Sequence, residues 1–145
     1  MKKVPCRLPD SELDIMLVLW HNKPPMSRLE IERIVNEKKT LAPTTILSLL
    51  SRLEKKSFVA VTKEGKNNLY APLVSEQDYQ QKESRSMLER LYGNSLKSFV
   101  SSLYQGKHMD QGDIRELSDF LKEMEQNLEV TRFSVMKREQ RMQES

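Results

Sequence analysis

The segment from residue 41 to residue 74 joins a helix pattern to two strand patterns, and this order is the feature that most constrains the fold. Its first part carries apolar residues at helical spacing, namely Ile46, Leu49, Leu50 and Leu53. Residues 58–62 are rich in strand formers, residues 63–68 form a polar tip, and residues 69–71 return as a strand. Because a two-stranded ribbon is marginal alone, we expect it to pack against helices.

Two further helix patterns precede this segment. The first begins at Asp10 or Ser11 and runs to Trp20, with Ser11 and Asp14 at the spacing of a capping box. The second opens with the capping box Ser27-x-x-Glu30. We expect its buried side to consist of Leu29, Ile31, Ile34 and Val35. Three helices joined by short turns and followed by a hairpin predict a winged helix-turn-helix over residues 1–74.

The second half offers three more helices, starting at residues 75, 95 and 113, with narrow apolar stripes and no Trp. Such stripes cannot build a substantial core alone, so we expect residues 75–128 to form a helical dimerisation region with a second chain. Residues 129–145 form a helical extension or a frayed tail. The predicted dimerisation residues are Leu88, Leu91, Leu96, Phe99, Val100, Ile114, Leu117 and Leu121. The predicted fold class is mainly α with a small two- or three-stranded β-wing.

Charge is distributed unevenly along the chain. Residues 1–72 hold 13 Lys and Arg against 8 Asp and Glu, whereas residues 73–145 hold 11 against 13. A basic first half suits a nucleic-acid module followed by a protein-interaction module, although chance scatter of surface charge would give the same numbers.

Short polar side chains on the third helix suit a helix that enters the major groove of DNA. They lie off the apolar stripe, together with one arginine that can reach a base edge or a phosphate. Ser27 and the start of the second helix could hold a phosphate, and the wing lysines could contact the DNA backbone. The alternative is an ordinary solvated helix face and hairpin. The predicted DNA-binding residues are Thr44, Thr45, Ser48, Arg52, Ser27, Lys63 and Lys66.

Other chemistry has little support in the sequence. The two histidines, His21 and His108, are far apart, and His108 near Asp110 and Asp113 is a weak metal candidate. Because Cys6 is the single cysteine, the chain cannot form an intramolecular disulfide. The sequence favours an incidental cysteine over a redox switch at this position. No catalytic motif, cofactor motif, signal peptide or membrane span is visible, so we expect a cytoplasmic protein that is not an enzyme.

Four collinear segments resemble the penicillinase-repressor family. Residues 9–20 (PDSELDIMLVLW) are similar to its opening helix, and residues 45–53 (TILSLLSRL) to its recognition helix. Residues 70–79 (YAPLVSEQDY) and 91–96 (LYGNSL) resemble its Y-x-P-L-V-S-E-x-E-Y and L-Y-G-G-S segments. The resemblance spans residues 8–126.

This resemblance implies a homodimeric transcriptional repressor of the antibiotic-resistance type that binds a palindromic operator in double-stranded DNA. The positions that match Thr44, Thr45, Ser48 and Arg52 face the DNA in that family, and the C-terminal helices dimerise.

The chain departs from the family at three places. The β-lactam branch is released by a sensor protease that cuts an Asn–Phe bond, and this sequence contains no Asn-Phe. The copper branch carries paired C-x-C motifs, which are absent. The family's Lys-Gly turn is Lys56-Ser57 here, and a positive φ would strain Ser57. Release by a sensor protease, a small-molecule inducer acting in a pocket between the wing and the helix from Ser75, and a winged helix that binds only protein remain open alternatives.

Overall fold

The computed structural model describes residues 7–144, so the predicted chemistry of Cys6 lies outside the described residues. The chain forms two units, one up to Asn94 and one from Ser95 onward. The elements of the first unit are α1 Asp10–His21, β1 Met26–Ser27, α2 Arg28–Val35, α3 Pro43–Lys55, β2 Val59–Glu64, β3 Asn67–Pro72 and α4 Glu76–Tyr92. This order is that of a winged helix, which confirms the predicted fold class.

The starts of the first three helices differ in how they are capped. The expected capping box of Ser11 in α1 is wrong, because the N-cap is Pro9 and no side chain caps the helix. The capping box of α2 is confirmed: Ser27 Oγ accepts from Glu30 N, and the Glu30 carboxylate accepts from Ser27 N. Pro43 stands at the first turn of α3, where its missing N–H would have no partner in any case.

The expected buried side of α2 is wrong at one residue. Ile31 and Val35 are buried and Ile34 is half-buried, but Leu29 is 66% exposed. Leu29 lies two positions before Ile31, about 200° around the helix, so it points away from the core.

The sheet has three antiparallel strands in the order β1-β3-β2. Its third strand is the two-residue β1, which pairs Met26 with Tyr70 and Ser27 with Leu69. The hairpin of β2 and β3 continues to the pair Glu64–Asn67, so the polar tip is shorter than the six residues expected. β3 is the central strand, and Pro72 is its last residue, where a missing donor is tolerated.

The core of the first unit lies where the three N-terminal helices meet the sheet and the start of α4. The ring of Tyr79 in α4 packs at a tilt against Trp20 and edge-to-face against Phe58, with ring centroids 5.6 and 5.9 Å apart. Its hydroxyl accepts from Leu8 N at 3.0 Å. Trp20 Nε1 donates to Val74 O at 2.9 Å, which fixes the chain between the sheet and α4 to α1.

One carboxylate is buried in this core. Glu12 of α1 is 2% exposed, and it accepts a hydrogen bond from Lys56 Nζ at 2.7 Å. Because a buried charge needs a partner, this pair fixes the end of α3 against α1. The position of α3 therefore depends on a polar contact as well as on apolar packing.

The second unit contains α5 Leu96–Gln105 and α6 Gln111–Glu144. Ser95 caps α5 by accepting from Ser98 N. The helix α6 continues unbroken through the segment that the sequence left as either helical or frayed. Among the residues that the structure describes, none after Tyr79 is buried. No helix in the described range is long and apolar enough to cross a membrane.

Candidate nucleic-acid interface

The helix α3 buries one face and presents a polar one. Its apolar stripe of Ile46, Leu49, Leu50 and Leu53 is buried, as the periodicity predicted. The four residues predicted to contact DNA, Thr44, Thr45, Ser48 and Arg52, are all exposed. Within the described residues, Arg52 forms no ion pair, so its guanidinium can meet a base edge or a phosphate.

The N-terminus of α3 differs from those of the neighbouring helices in its charge. Its N-cap, Ala42, supplies no side-chain acceptor, and its first turn contains no acidic residue. By contrast, α1, α2 and α4 each carry an acid in the first turn. The N–H groups of Thr44 and Thr45 therefore stand at the positive end of the helix dipole without a local carboxylate, which favours a phosphate.

Three further residues share the exposed surface of α3 and are not among the predicted DNA-binding residues. Ser51 and Lys55 lie on the same outer line as Thr44 and Ser48, and both are exposed. Leu47 flanks that line and is 45% exposed. Helical spacing from Thr44 would have found all three, since positions 3, 4, 7 and 11 residues apart share a face.

The wing carries the two predicted lysines on an exposed hairpin. Lys63 lies on β2 opposite Asn68, and Lys66 lies in the two-residue turn that joins the strands. Gly65 precedes Lys66 with a φ of +62°, a conformation that favours glycine in a tight hairpin. Both lysines are exposed, so the hairpin presents positive charge at its end.

Ser27 has its hydrogen bonds occupied. Its hydroxyl accepts from Glu30 N at 3.3 Å and also lies 3.1 Å from the Glu30 carboxylate, to which it donates. A phosphate at the start of α2 would therefore meet the Glu30 carboxylate. The role of Ser27 in DNA binding stays a prediction.

The predicted dimerisation residues belong to α4, α5 and α6, and none of them is buried in the single chain. Leu88, Phe99, Val100 and Leu117 are half-buried, whereas Leu91, Leu96, Ile114 and Leu121 are exposed. Apolar side chains of this size at the surface suit a partner chain.

The candidate metal residues do not converge. His21 Nε2 lies 2.6 Å from Glu76 Oε2, an ion pair or hydrogen bond between α1 and α4. His108 is exposed in the loop before α6, and the described residues contain no group of three potential metal ligands.

A cavity of about 330 Å³ lies between α1 and α2, away from the pocket that the sequence placed between the wing and α4. At its edge Asp14 accepts a hydrogen bond from Lys39 Nζ at 2.6 Å, and this bond raises the pKa of Lys39.

The fold and the exposed polar face of α3 define a winged helix, the class of module that inserts one helix into the major groove. The model of the penicillinase repressor family matches residues 8–123. The chain therefore belongs to the penicillinase repressor family.

Two named relatives agree with this assignment. The penicillinase repressor of Bacillus licheniformis is 33% identical over 123 residues, which cover 85% of this chain and 94% of that protein. The methicillin resistance regulatory protein MecI of Staphylococcus aureus (strain N315) is 31% identical over 77% of this chain and 89% of its own length. A solution structure of Bacillus licheniformis BlaI with the blaP half-operator is 35% identical, with a TM-score of 0.46, and covers 55% of this chain and 94% of that one.

Proposed function

We propose that this protein is a transcriptional repressor that binds operator DNA as a homodimer, and that it is not an enzyme. The observation that carries the proposal is the exposed face of α3, where hydroxyl residues and Arg52 lie beside an uncapped helix N-terminus. Membership of the penicillinase repressor family supports the repressor role. The names of two relatives, penicillinase repressor and methicillin resistance regulatory protein, connect the family with antibiotic resistance.

In the proposed complex, α3 enters the major groove with its outer line of residues towards the bases. The short side chains of Thr44 and Ser48 allow a close approach, and Arg52 reaches a guanine edge or a phosphate. The N–H groups at the start of α3 bind a phosphate, and Lys63 and Lys66 of the wing contact the DNA backbone. The two kinds of contact have different roles: phosphate contacts position the module on the DNA, and base contacts give sequence specificity.

The homodimer follows from the apolar residues that the single chain leaves at its surface. We propose that α4, α5 and α6 of two chains bury Leu91, Leu96, Ile114 and Leu121 against each other about a two-fold axis. Two symmetric modules would then bind a palindromic operator with half-sites about one or two helical turns apart.

Fluorescence anisotropy with labelled DNA from upstream of the protein's own gene tests the proposal. The control is a scrambled duplex of equal length and composition. A repressor should prefer the upstream duplex by at least about 10³-fold, and its affinity should fall steeply as the salt concentration rises. Equal, weak binding of both duplexes would overturn the proposal, and it would favour a winged helix that binds protein.

A further inference from the structure

The helix α6 carries a seven-residue repeat of mostly apolar side chains. Starting from Ile114, apolar or short side chains recur at alternating intervals of three and four residues up to Met142. The single long charged residue among them is Arg138. This spacing is typical of a coiled-coil seam when it is sustained over three or more heptads. The seam positions are Ile114, Leu117, Leu121, Met124, Leu128, Thr131, Val135, Arg138 and Met142.

The seam extends beyond the part of the chain that the family shares. The family model ends at residue 123, whereas the repeat keeps its phase for 19 residues more, to Met142. In this extension Leu128 and Val135 are exposed, as is every residue from 124 to 143. Exposed apolar side chains that line up along one helix typically mark a surface for a protein partner.

We propose that residues 124–144 of α6 form a coiled coil with the same segment of a second copy of this chain. The inference deepens the homodimer of the proposed function and rests on it. It assigns this segment a role as an additional part of the dimer interface, continuous with the stripe at the start of α6.

Three observations favour a second copy as the partner. The extension continues, in phase, the stripe of Ile114, Leu117 and Leu121 that was proposed for the dimer. Residues 124–144 contain four acidic and four basic residues, so two identical segments do not repel each other. Each chain supplies only one helix with this seam among its described residues, whereas a coiled coil needs two.

The polar seam position Thr131 is compatible with this packing. Its hydroxyl donates to Asn127 O of its own helix at 2.9 Å, so it needs no partner from another chain. The methyl group of Thr131 then remains available for the seam. Arg138 can extend its charged end out of the seam while its methylene groups pack within it.

The helix offers a matched pair of valines for the test. Val135 lies on the seam and is 48% exposed, whereas Val130 is 65% exposed and lies off the seam. The two residues are separated by about 140° around the helix. Val135→Asp and Val130→Asp therefore introduce the same charge on the same helix with different relations to the proposed interface.

Sedimentation equilibrium of the full-length chain measures the dimer dissociation constant, and circular dichroism measures helix content. We expect Val135→Asp to raise the dissociation constant at least about tenfold, because a charge would be buried without a partner. Val130→Asp should change it less than about twofold, since this side chain stays in water. Leu128→Asp and Phe133→Asp form a second pair, with Leu128 on the seam and Phe133 off it.

The outcomes separate this inference from the proposed function. A wild-type dimer whose dissociation constant is unchanged by Val135→Asp would overturn the coiled coil and leave the dimer standing. If Val130→Asp and Val135→Asp raise the dimer dissociation constant equally, the assignment of Val135 to the seam would be wrong, and the coiled coil with it. A wild-type chain that is monomeric at micromolar concentration would overturn the dimer and, with it, the coiled coil.

Discussion

Ser57 holds the turn between α3 and β2 in a left-handed conformation with a φ of +65°. This conformation costs an ordinary residue about 1–2 kcal/mol, whereas glycine adopts it readily but loses more entropy on folding. Ser57→Gly should therefore raise the free energy of unfolding by about 0.5–1 kcal/mol, measured by urea denaturation. Ser57→Ala keeps the strain and serves as the control. An equal gain in both variants would contradict the argument from backbone strain.

Substitution of Arg52 tests whether this single side chain contributes to operator binding. Arg52→Ala should weaken operator binding about 5- to 150-fold, the loss expected for one base-reading arginine, and leave stability unchanged. Anisotropy titration and thermal denaturation measure the two effects. The control is Arg90→Ala, which removes an exposed arginine from α4 of the same unit. If Arg90→Ala weakens binding as much as Arg52→Ala does, net charge and not position governs the affinity.

The helical period alone predicted correctly which residues of α3 are exposed. The four residues of α3 assigned to DNA are exposed, since the buried stripe of that helix fixes its opposite face. The prediction that Leu29 is buried was wrong because it followed the hydrophobicity of the residue. Its position around the axis of α2, on the side opposite Ile31, predicts exposure. Leu47 lies outside the predicted buried stripe of α3, and its side chain is 45% exposed.

Helix caps are features of single elements, and α1 and α2 allow a direct comparison. Both helices carry a serine at capping spacing, but only Ser27 makes the capping bonds. Ser27→Ala should lower the free energy of unfolding by about 1 kcal/mol because the N–H of Glu30 loses its acceptor. Ser11→Ala should change it by less than about 0.5 kcal/mol. Chemical denaturation measures both variants, and equal losses would contradict the assigned caps.

At the scale of elements, the sequence predicted the kinds and order of the helices and strands better than their ends. The hairpin tip was expected at residues 63–68, because Gly and Asn favour turns. In the structure Asn67 and Asn68 belong to β3 and pair with Glu64 and Lys63. Strand pairing depends on the partner strand more than on the residue type, so local composition could not locate the turn. The short strand β1 is formed only by its pairing with β3.

At the scale of the whole molecule, the two units differ in how they are stabilised. Every buried residue in the described chain lies between Leu8 and Tyr79, within the first unit. The narrow stripes of the second half predicted that it could not build a core alone. The sequence left residues 129–145 as either a helical extension of α6 or a frayed tail, although residues 113–144 contain neither Gly nor Pro to end a helix.

This separation predicts that a fragment of residues 1–94 folds by itself. The fragment keeps the buried core, the Glu12–Lys56 pair and the contacts of Tyr79, so its stability should be nearly unchanged. We expect its thermal midpoint to lie within about 4 °C of the midpoint at which near-ultraviolet dichroism of Trp20 is lost in the full chain. The midpoint of the fragment should depend little on protein concentration, because of the proposed dimerisation residues only Leu88 and Leu91 of α4 remain in it. A fall of more than about 10 °C would mean that the second unit stabilises the first.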